Sequence, residues 1–191
     1  MSLPTALNII ATCWGAFLVI WIIAAGWTKA STYREMRSRR LRYTIFLVAA
    51  YAVLVYGGRL PYPLNLRVIP VNWGVELAGV ILCLAGLMFS FWARFTIGRN
   101  WSGNITLKKE HELVQHGPYR WVRHPIYTGL ILMLFGTVLV LGRAAGLISL
   151  ALAFLSFWIK LRDEETLMLQ HFPNQYRAYQ ERVKRLIPFV W

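Results

Sequence analysis

Cysteine and acidic residues are scarce in this sequence of 191 residues. Its two cysteines, Cys13 and Cys83, lie far apart inside apolar stretches, which argues against a metal-binding pair and against a disulfide framework. Eight Asp and Glu residues stand against 21 Lys and Arg residues, which gives a formal net charge of +13. A balance this basic indicates a negatively charged partner, either nucleic acid or a membrane surface.

Several familiar motifs are also absent. The sequence has no G-x-G-x-x-G after a strand, no P-loop, no G-x-S-x-G and no H-E-x-x-H. Three of the four histidines, His111, His116 and His124, fall in one segment, but their spacing does not suit a helical zinc pair and no cysteine joins them. We therefore predict no metal site, and any cofactor must be held by helix ends and loops.

Hydrophobic residues are abundant, at 57% of the chain, against about 45–50% in soluble domains. They occur in blocks of nearly membrane-spanning length, at about 6–27, 43–58, 71–93, 126–141 and 144–159. The first block lacks a basic start and is long for a signal peptide, so we interpret it as a span. The last two hold 16 residues each, which fits either a re-entrant hairpin or two short spans. The polar tip Gly142-Arg143 favours two spans.

The basic residues predict the orientation. Eighteen of the 21 lie in the segments 28–42, 94–125 and 160–185, and the remaining three are Arg59, Arg67 and Arg143 in the alternate segments. The positive-inside rule places the first group in the cytoplasm and the N-terminus outside. Anionic lipids account for this charge, so we predict membrane lipids and no nucleic acid as partners. Glu76, the single charge in the third block, lies near its end, where we favour a structural role.

The predicted fold is an all-α integral membrane protein of five transmembrane helices, the last two a tight hairpin. Residues 1–95 form an N-terminal three-span region, and residues 96–191 form the catalytic region. Its cytosolic loop and C-terminal helix make the cofactor pocket. Pro173 begins that helix, and an apolar face follows at three- and four-residue steps, in Tyr176, Tyr179, Val183 and Leu186.

Two segments carry a family resemblance. The run LVQHGPYRWVRHPIY at 113–127 resembles the isoprenylcysteine carboxyl methyltransferase family and the related phospholipid N-methyltransferases. The tail DEETLMLQHFPNQYRAYQERVKRLIP resembles the family's second motif, an acidic pair followed by spaced aromatics and a closing Leu-x-Pro. The resemblance covers about residues 98–188. It implies a pocket for S-adenosyl-L-methionine (SAM) on the cytosolic side.

The resemblance also implies site residues. The cofactor-binding set comprises His111, Glu112, Leu113 and Val114 beside the adenosine, Tyr119, the run His124, Pro125, Ile126 and Tyr127, and Glu164. Lys160 occupies the place where members of the family carry an arginine associated with the substrate carboxylate. A lysine keeps the charge but loses the bidentate fork. We take Lys160, Arg123 and His124 as the catalytic candidates.

The residue types suit this chemistry. SAM carries a sulfonium, an ammonium and a carboxylate, which call for an acid, aromatic faces and hydrogen-bond donors. Methyl transfer depends mostly on positioning and desolvation. A carboxylate acceptor needs no base, whereas an amine needs one, and His124 can serve. We predict carboxyl methylation of a lipid or prenylated small molecule, with phospholipid N-methylation as the alternative.

Two other interpretations stay open. Sterol reductases, which use NADPH, carry a similar Arg-His-Pro-x-Tyr motif and an Arg-Asp pair, matched here by Arg162-Asp163. The acids that follow that pair disfavour a cofactor phosphate, and the chain lacks the additional spans of that group. A membrane scaffold without activity leaves the clustered polar residues of 111–127 unexplained.

Overall fold

The computed structural model describes residues 1–108 and 112–188, and within them the chain is predominantly helical. The helices are α1 (Leu3–Ala25), α2 (Arg37–Tyr56), α3 (Trp73–Ile97), α4 (Pro125–Leu141), α5 (Ala144–His171) and α6 (Pro173–Arg182). Two short strands, β1 (Ser31–Arg34) and β2 (Thr106–Lys108), pair antiparallel. This strand pair was not predicted, because strands of three or four residues are too short to show an alternating pattern of polar and apolar residues.

Among the described residues, four helices are long and apolar enough to cross a membrane: α1, α2 with the turn after it, α3 with the turn after it, and α5. Large apolar side chains on α1 and α2, such as Ile22 and Val48, point outward and are more than half exposed. Outward apolar faces of this extent suit lipid, and the protein is a membrane protein. Helix α4 is apolar but shorter, since its 17 residues rise only about 26 Å.

Glycines bring α3 and α4 into close contact. Gly79 faces Gly136 and Gly86 faces Gly129, so the same seven-residue spacing occurs on both helices. A Cβ atom on Gly79 would lie 2.7 Å from the carbonyl oxygen of Gly136, and one on Gly129 would lie 2.6 Å from that of Gly86. Side chains of any size would push the backbones apart. Small residues serve this purpose at helix interfaces in membranes, where close packing drives association.

Helix α5 packs chiefly along α2, and α4 chiefly along α3. The hydroxyl of Ser149 donates to the carbonyl of Ala50, and that of Ser156 to the carbonyl of Tyr43, each at 2.7 Å. Helices α4 and α5 follow one another through Gly142, which has a φ of +67°, and Arg143. Helices α2 and α3, which lie before the predicted boundary at residue 95, thus pack directly against α5 and α4, which lie after it.

The C-terminal half extends further than the apolar blocks indicate. Helix α5 has 28 residues and rises about 42 Å, so it continues well past residue 159 to His171. Helix α6 ends at Arg182, earlier than the predicted apolar face. Val183 is extended, because the backbone amides of Arg123 and His124 donate to the carbonyls of Lys184 and Arg185. Val183 and Leu186 are still buried, but on this paired tail.

Candidate active site

A cavity of about 380 Å³ lies between the helices and the loop that follows α3. This volume falls within the usual range for small-molecule sites, about 300–1,000 Å³. Apolar side chains from four helices line one part of it, namely Phe17, Leu47, Leu130 and Phe157. The loops add further apolar side chains, such as Trp101 and Ile105, and the charged side chains in the lining are Glu112, Arg123, Lys160 and Glu164. The cavity therefore offers both apolar and charged groups to a ligand.

Glu164 and Lys160 lie one turn apart on α5 and both line this cavity. The Tyr127 hydroxyl donates to Glu164 Oε1 at 2.7 Å, and Lys160 Nζ lies 4.0 Å from the same oxygen. Lys160 Nζ also donates to the Gly103 carbonyl at 2.7 Å and sits over the rings of Tyr43 and Tyr127. An acid, a cation and an aromatic hydroxyl are thus held together at the charged part of the cavity.

His124 immediately precedes Pro125, the first residue of α4, and its ring lies between two acids. The ring atom Nε2 is 3.2 Å from Glu165 Oε1, and Nδ1 is 3.7 Å from Glu164 Oε2. The ring also lies beside Tyr127, with centroids 5.7 Å apart. Both ring nitrogens therefore already face carboxylates of the protein.

Glu165 is the centre of a buried network that the sequence did not reveal. Its side chain is only 4% exposed, and it accepts hydrogen bonds from Arg123 Nε at 2.8 Å, Gln180 Nε2 at 3.2 Å and Arg185 Nε at 3.0 Å. Arg123 Nη1 also donates to the carbonyls of Gln180 and Val183. Arg123 lines the cavity, but these donors join α5 to the C-terminal tail.

Tyr119 lies in the turn before α4 and is buried against α6. Its carbonyl accepts a hydrogen bond from the Tyr179 hydroxyl at 2.5 Å. Burial raises the pKa of Tyr119 and of Tyr179 well above the usual range for a phenol. Both hydroxyls are therefore neutral at any pH the protein meets, and Tyr179 is a permanent donor.

The structure places most of the other candidates in the same lining. Glu112, Leu113, Val114, Pro125 and Ile126 all border the cavity. His111 lies outside the described residues. The two segments that carry the resemblance are separated in the sequence by most of α4 and α5. In the structure both segments line the same cavity.

The sequence of this chain is similar to those of known methyltransferases. The family model for the isoprenylcysteine carboxyl methyltransferase family matches residues 79–170. The predicted resemblance to this family is confirmed. A probable protein-S-isoprenylcysteine O-methyltransferase of Oryza sativa subsp. indica is 30% identical over 121 residues, covering 62% of this chain and 63% of that protein. An Arabidopsis thaliana relative, protein-S-isoprenylcysteine O-methyltransferase A, is 29% identical over 77% of this chain and 78% of its own.

A solved structure agrees with the sequence matches. The eukaryotic intramembrane Ras methyltransferase, an isoprenylcysteine carboxyl methyltransferase, is 30% identical, with a TM-score of 0.55, covering 78% of this chain and 53% of that chain. The human protein-S-isoprenylcysteine O-methyltransferase is 31% identical over 63% of this chain and 43% of its own. The chain spans 63% of the rice relative, which is less than two thirds of its length.

The family match begins at residue 79, yet the first two helices also border the cavity. Phe17 and Trp21 of α1 stack with centroids 4.3 Å apart, and Trp21 meets Trp101 edge-on at 5.6 Å. Leu47 of α2 completes this apolar wall. Sequence reasoning missed all four, and the one available signal was the four-residue spacing of Phe17 and Trp21, which places both on one helix face.

Proposed function

We propose that this protein is a SAM-dependent methyltransferase that methylates the carboxylate of a lipid-like acceptor. The observation that carries the proposal is the pairing of Glu164 with Lys160 in one cavity, where the first suits a cationic ligand group and the second an anionic one. The similarity to protein-S-isoprenylcysteine O-methyltransferases supports the same reaction class.

The residues present fit SAM. Glu164 is an acid at the edge of the cavity, Tyr127 and Tyr119 supply aromatic faces, and residues 112–114 supply backbone groups. Two buried oxygens in the lining residues Asn100 and Thr106 have no hydrogen-bonding partner in the part of the chain that the structure describes. Bound SAM supplies an electrophilic methyl group on its sulfonium. Glu164 binds the cationic end of the cofactor, and the Tyr127 hydroxyl fixes the orientation of that carboxylate.

Lys160 favours an anionic acceptor over an amine. Its ammonium group is largely buried, with 13% of the side chain exposed, and a buried ammonium group favours an anionic partner such as a carboxylate. An amine acceptor also needs a base. The obvious base, His124, has each ring nitrogen beside a carboxylate of the protein. A carboxylate is already ionised near neutral pH, so Lys160 needs only to hold it in place.

The apolar lining accounts for a lipid-like acceptor. Phe17, Leu47, Leu130 and Phe157 come from helices whose outer faces are apolar, so an acceptor reaches them from the bilayer. Its tail occupies this part, and its carboxylate lies beside Lys160 where α5 leaves the apolar region. The same side chains exclude water from the reacting groups. A lipid or prenylated small molecule has the required shape.

In this proposal Arg123 and His124 support the site without contacting the ligands. Arg123 joins Glu165 to the C-terminal tail and so keeps the wall of the cavity in place. The His124 ring lies between the carboxylates of Glu164 and Glu165 and fixes their positions. Pro125 and Ile126 begin α4 directly after His124. Both residues are positioning groups, whereas Glu164 and Lys160 contact the ligands.

The arrangement in the membrane is part of the proposal. Five spans, with α4 and α5 as the closing pair, place the loop after α3 and helix α6 on one side. The basic residues of that side make it cytoplasmic and the N-terminus external, in the inner or another cytoplasm-facing membrane. Residues 1–95 then supply Phe17, Trp21 and Leu47 to the apolar wall of the site, and residues 96–191 hold the rest of that wall and the charged groups.

A labelled-methyl assay tests the proposal. Membranes containing the protein should be incubated with methyl-labelled SAM and a lipid extract. They should yield a labelled lipid methyl ester, from which mild base releases the label as volatile methanol. Base-stable label would identify N-methylation and reject the carboxylate. The reductase interpretation finds no support in the geometry, because Asp163 pairs with Arg42 at 3.0 Å and does not line the cavity.

A further inference from the structure

The loop after α3 carries polar groups to which the proposed function assigns no ligand atom. Residues 100–106 form one side of the cavity. Two of them, Asn100 and Thr106, hold a side-chain oxygen that is shielded from solvent and has no hydrogen-bonding partner among the described residues. Leaving such a group unpaired costs about 1–3 kcal/mol, so buried polar atoms without partners are few and call for an explanation.

The backbone of this loop is held at several points. The Lys29 amide donates to the Arg99 carbonyl at 2.9 Å, and Lys160 Nζ binds the Gly103 carbonyl. The guanidinium of Arg94 sits over the Trp101 ring at 4.6 Å, and Thr106 pairs with Arg34 in the short sheet. The backbone positions of Asn100 and Thr106 are therefore fixed at the cavity wall, and their side-chain oxygens are available to a ligand.

We propose that Asn100 and Thr106 are further cofactor-binding residues, which hydrogen-bond the nucleoside part of SAM. The proposal rests on the proposed function. An amide oxygen and a hydroxyl are neutral, and they suit the neutral ribose hydroxyls and adenine amino group. The charged end of the cofactor has its own partner in Glu164. A hydrogen bond to the nucleoside would give each oxygen the partner it lacks and remove the cost of leaving it unpaired.

Binding of S-adenosylhomocysteine to the purified full-length protein, measured by calorimetry, tests this assignment. Thr106→Val and Asn100→Ala should each weaken binding about three- to tenfold, the range of one hydrogen bond. Thr106→Ser and Asn100→Asp keep a hydroxyl and an acceptor oxygen, so they should retain most of the affinity. Matched controls on α1, Thr12→Val and Asn8→Ala, lie on an exposed surface away from the cavity and should bind normally.

Analogues of the ligand identify the atoms. The 2′-deoxy, 3′-deoxy and 6-oxo analogues of S-adenosylhomocysteine each remove one nucleoside donor. Each variant should lose affinity for the parent compound but not for the analogue that lacks its partner, as in a double-mutant cycle. Equal losses for every analogue, or no loss at all, would overturn the assignment. Failure of the unmodified protein to bind S-adenosylhomocysteine would instead reject the proposed function.

Discussion

Glu164 and Glu165 are adjacent in the chain but serve different parts of the molecule. Glu164 lines the cavity and accepts a hydrogen bond from Tyr127, with 24% of its side chain exposed. Glu165 is 4% exposed and binds Arg123 and Arg185 in the interior. Adjacent side chains on a helix point about 100° apart, so one faces the ligand space and the other the C-terminal tail.

Substitution of the two acids should therefore separate binding from stability. Glu164→Gln should weaken SAM binding by tenfold or more, because it removes the charge that faces the ligand, and should leave the thermal midpoint nearly unchanged. Calorimetric titration and a thermal unfolding scan measure the two quantities. Unchanged SAM affinity in this variant would remove Glu164 from the cofactor site.

Glu165→Gln should instead lower the thermal midpoint. Loss of this charge leaves the buried guanidinium of Arg123 without its carboxylate, at a cost of several kcal/mol. A variant with wild-type unfolding behaviour would show that the network contributes little to stability.

Lys160→Ala should affect the acceptor and not the cofactor. For a carboxylate acceptor, the apparent KM should rise or kcat should fall, while SAM affinity stays nearly intact. Lys160→Arg should be tolerated, since a guanidinium keeps the charge and adds a second donor. Steady-state kinetics with the acceptor varied at saturating SAM measure the effect. Unaltered acceptor kinetics would show that Lys160 has only a structural role, in which it binds the Gly103 carbonyl at the membrane boundary.

The glycine contact between α3 and α4 should tolerate no added methyl group. A Cβ atom on Gly86 overlaps the Gly129 carbonyl and lies 2.7 Å from the Met133 amide nitrogen, so Gly86→Ala should cost about 1–3 kcal/mol. Gly15→Ala is the matched control, because nothing lies within 4 Å of a Cβ there and alanine favours the helix. Thermal unfolding in detergent compares the two, and equal midpoints would contradict the contact.

Reporter fusions test the orientation. In the proposed orientation the basic segments and the C-terminus lie in the cytoplasm. An alkaline phosphatase fused at the C-terminus should therefore be inactive, and a fluorescent protein there should fluoresce. Fusions at the N-terminus should give the opposite result. The reverse pattern would place the cavity on the wrong side for a cytoplasmic cofactor.

The sequence by itself determined the membrane character and several of the residues that line the cavity. Apolar runs reflect contact with lipid residue by residue, so the first four blocks correspond to α1, α2, α3 and α4 within about six positions, and the last block to the first part of α5. The family resemblance contributed Tyr127, Lys160 and Glu164 because short motifs keep chemical groups at fixed spacing. These are local properties of the chain.

Only the tertiary structure decided how Glu165 is buried and how the helices pair. The burial of Glu165 depends on Arg123 and Arg185, which lie 42 and 20 residues away, and no local pattern encodes their approach. The pairing of Gly86 with Gly129 likewise needs two helices in register. Phe17 and Trp21 reach the cavity because α1 packs against α3. Contacts between distant residues arise from packing, which the hydrophobic pattern of a single segment does not specify.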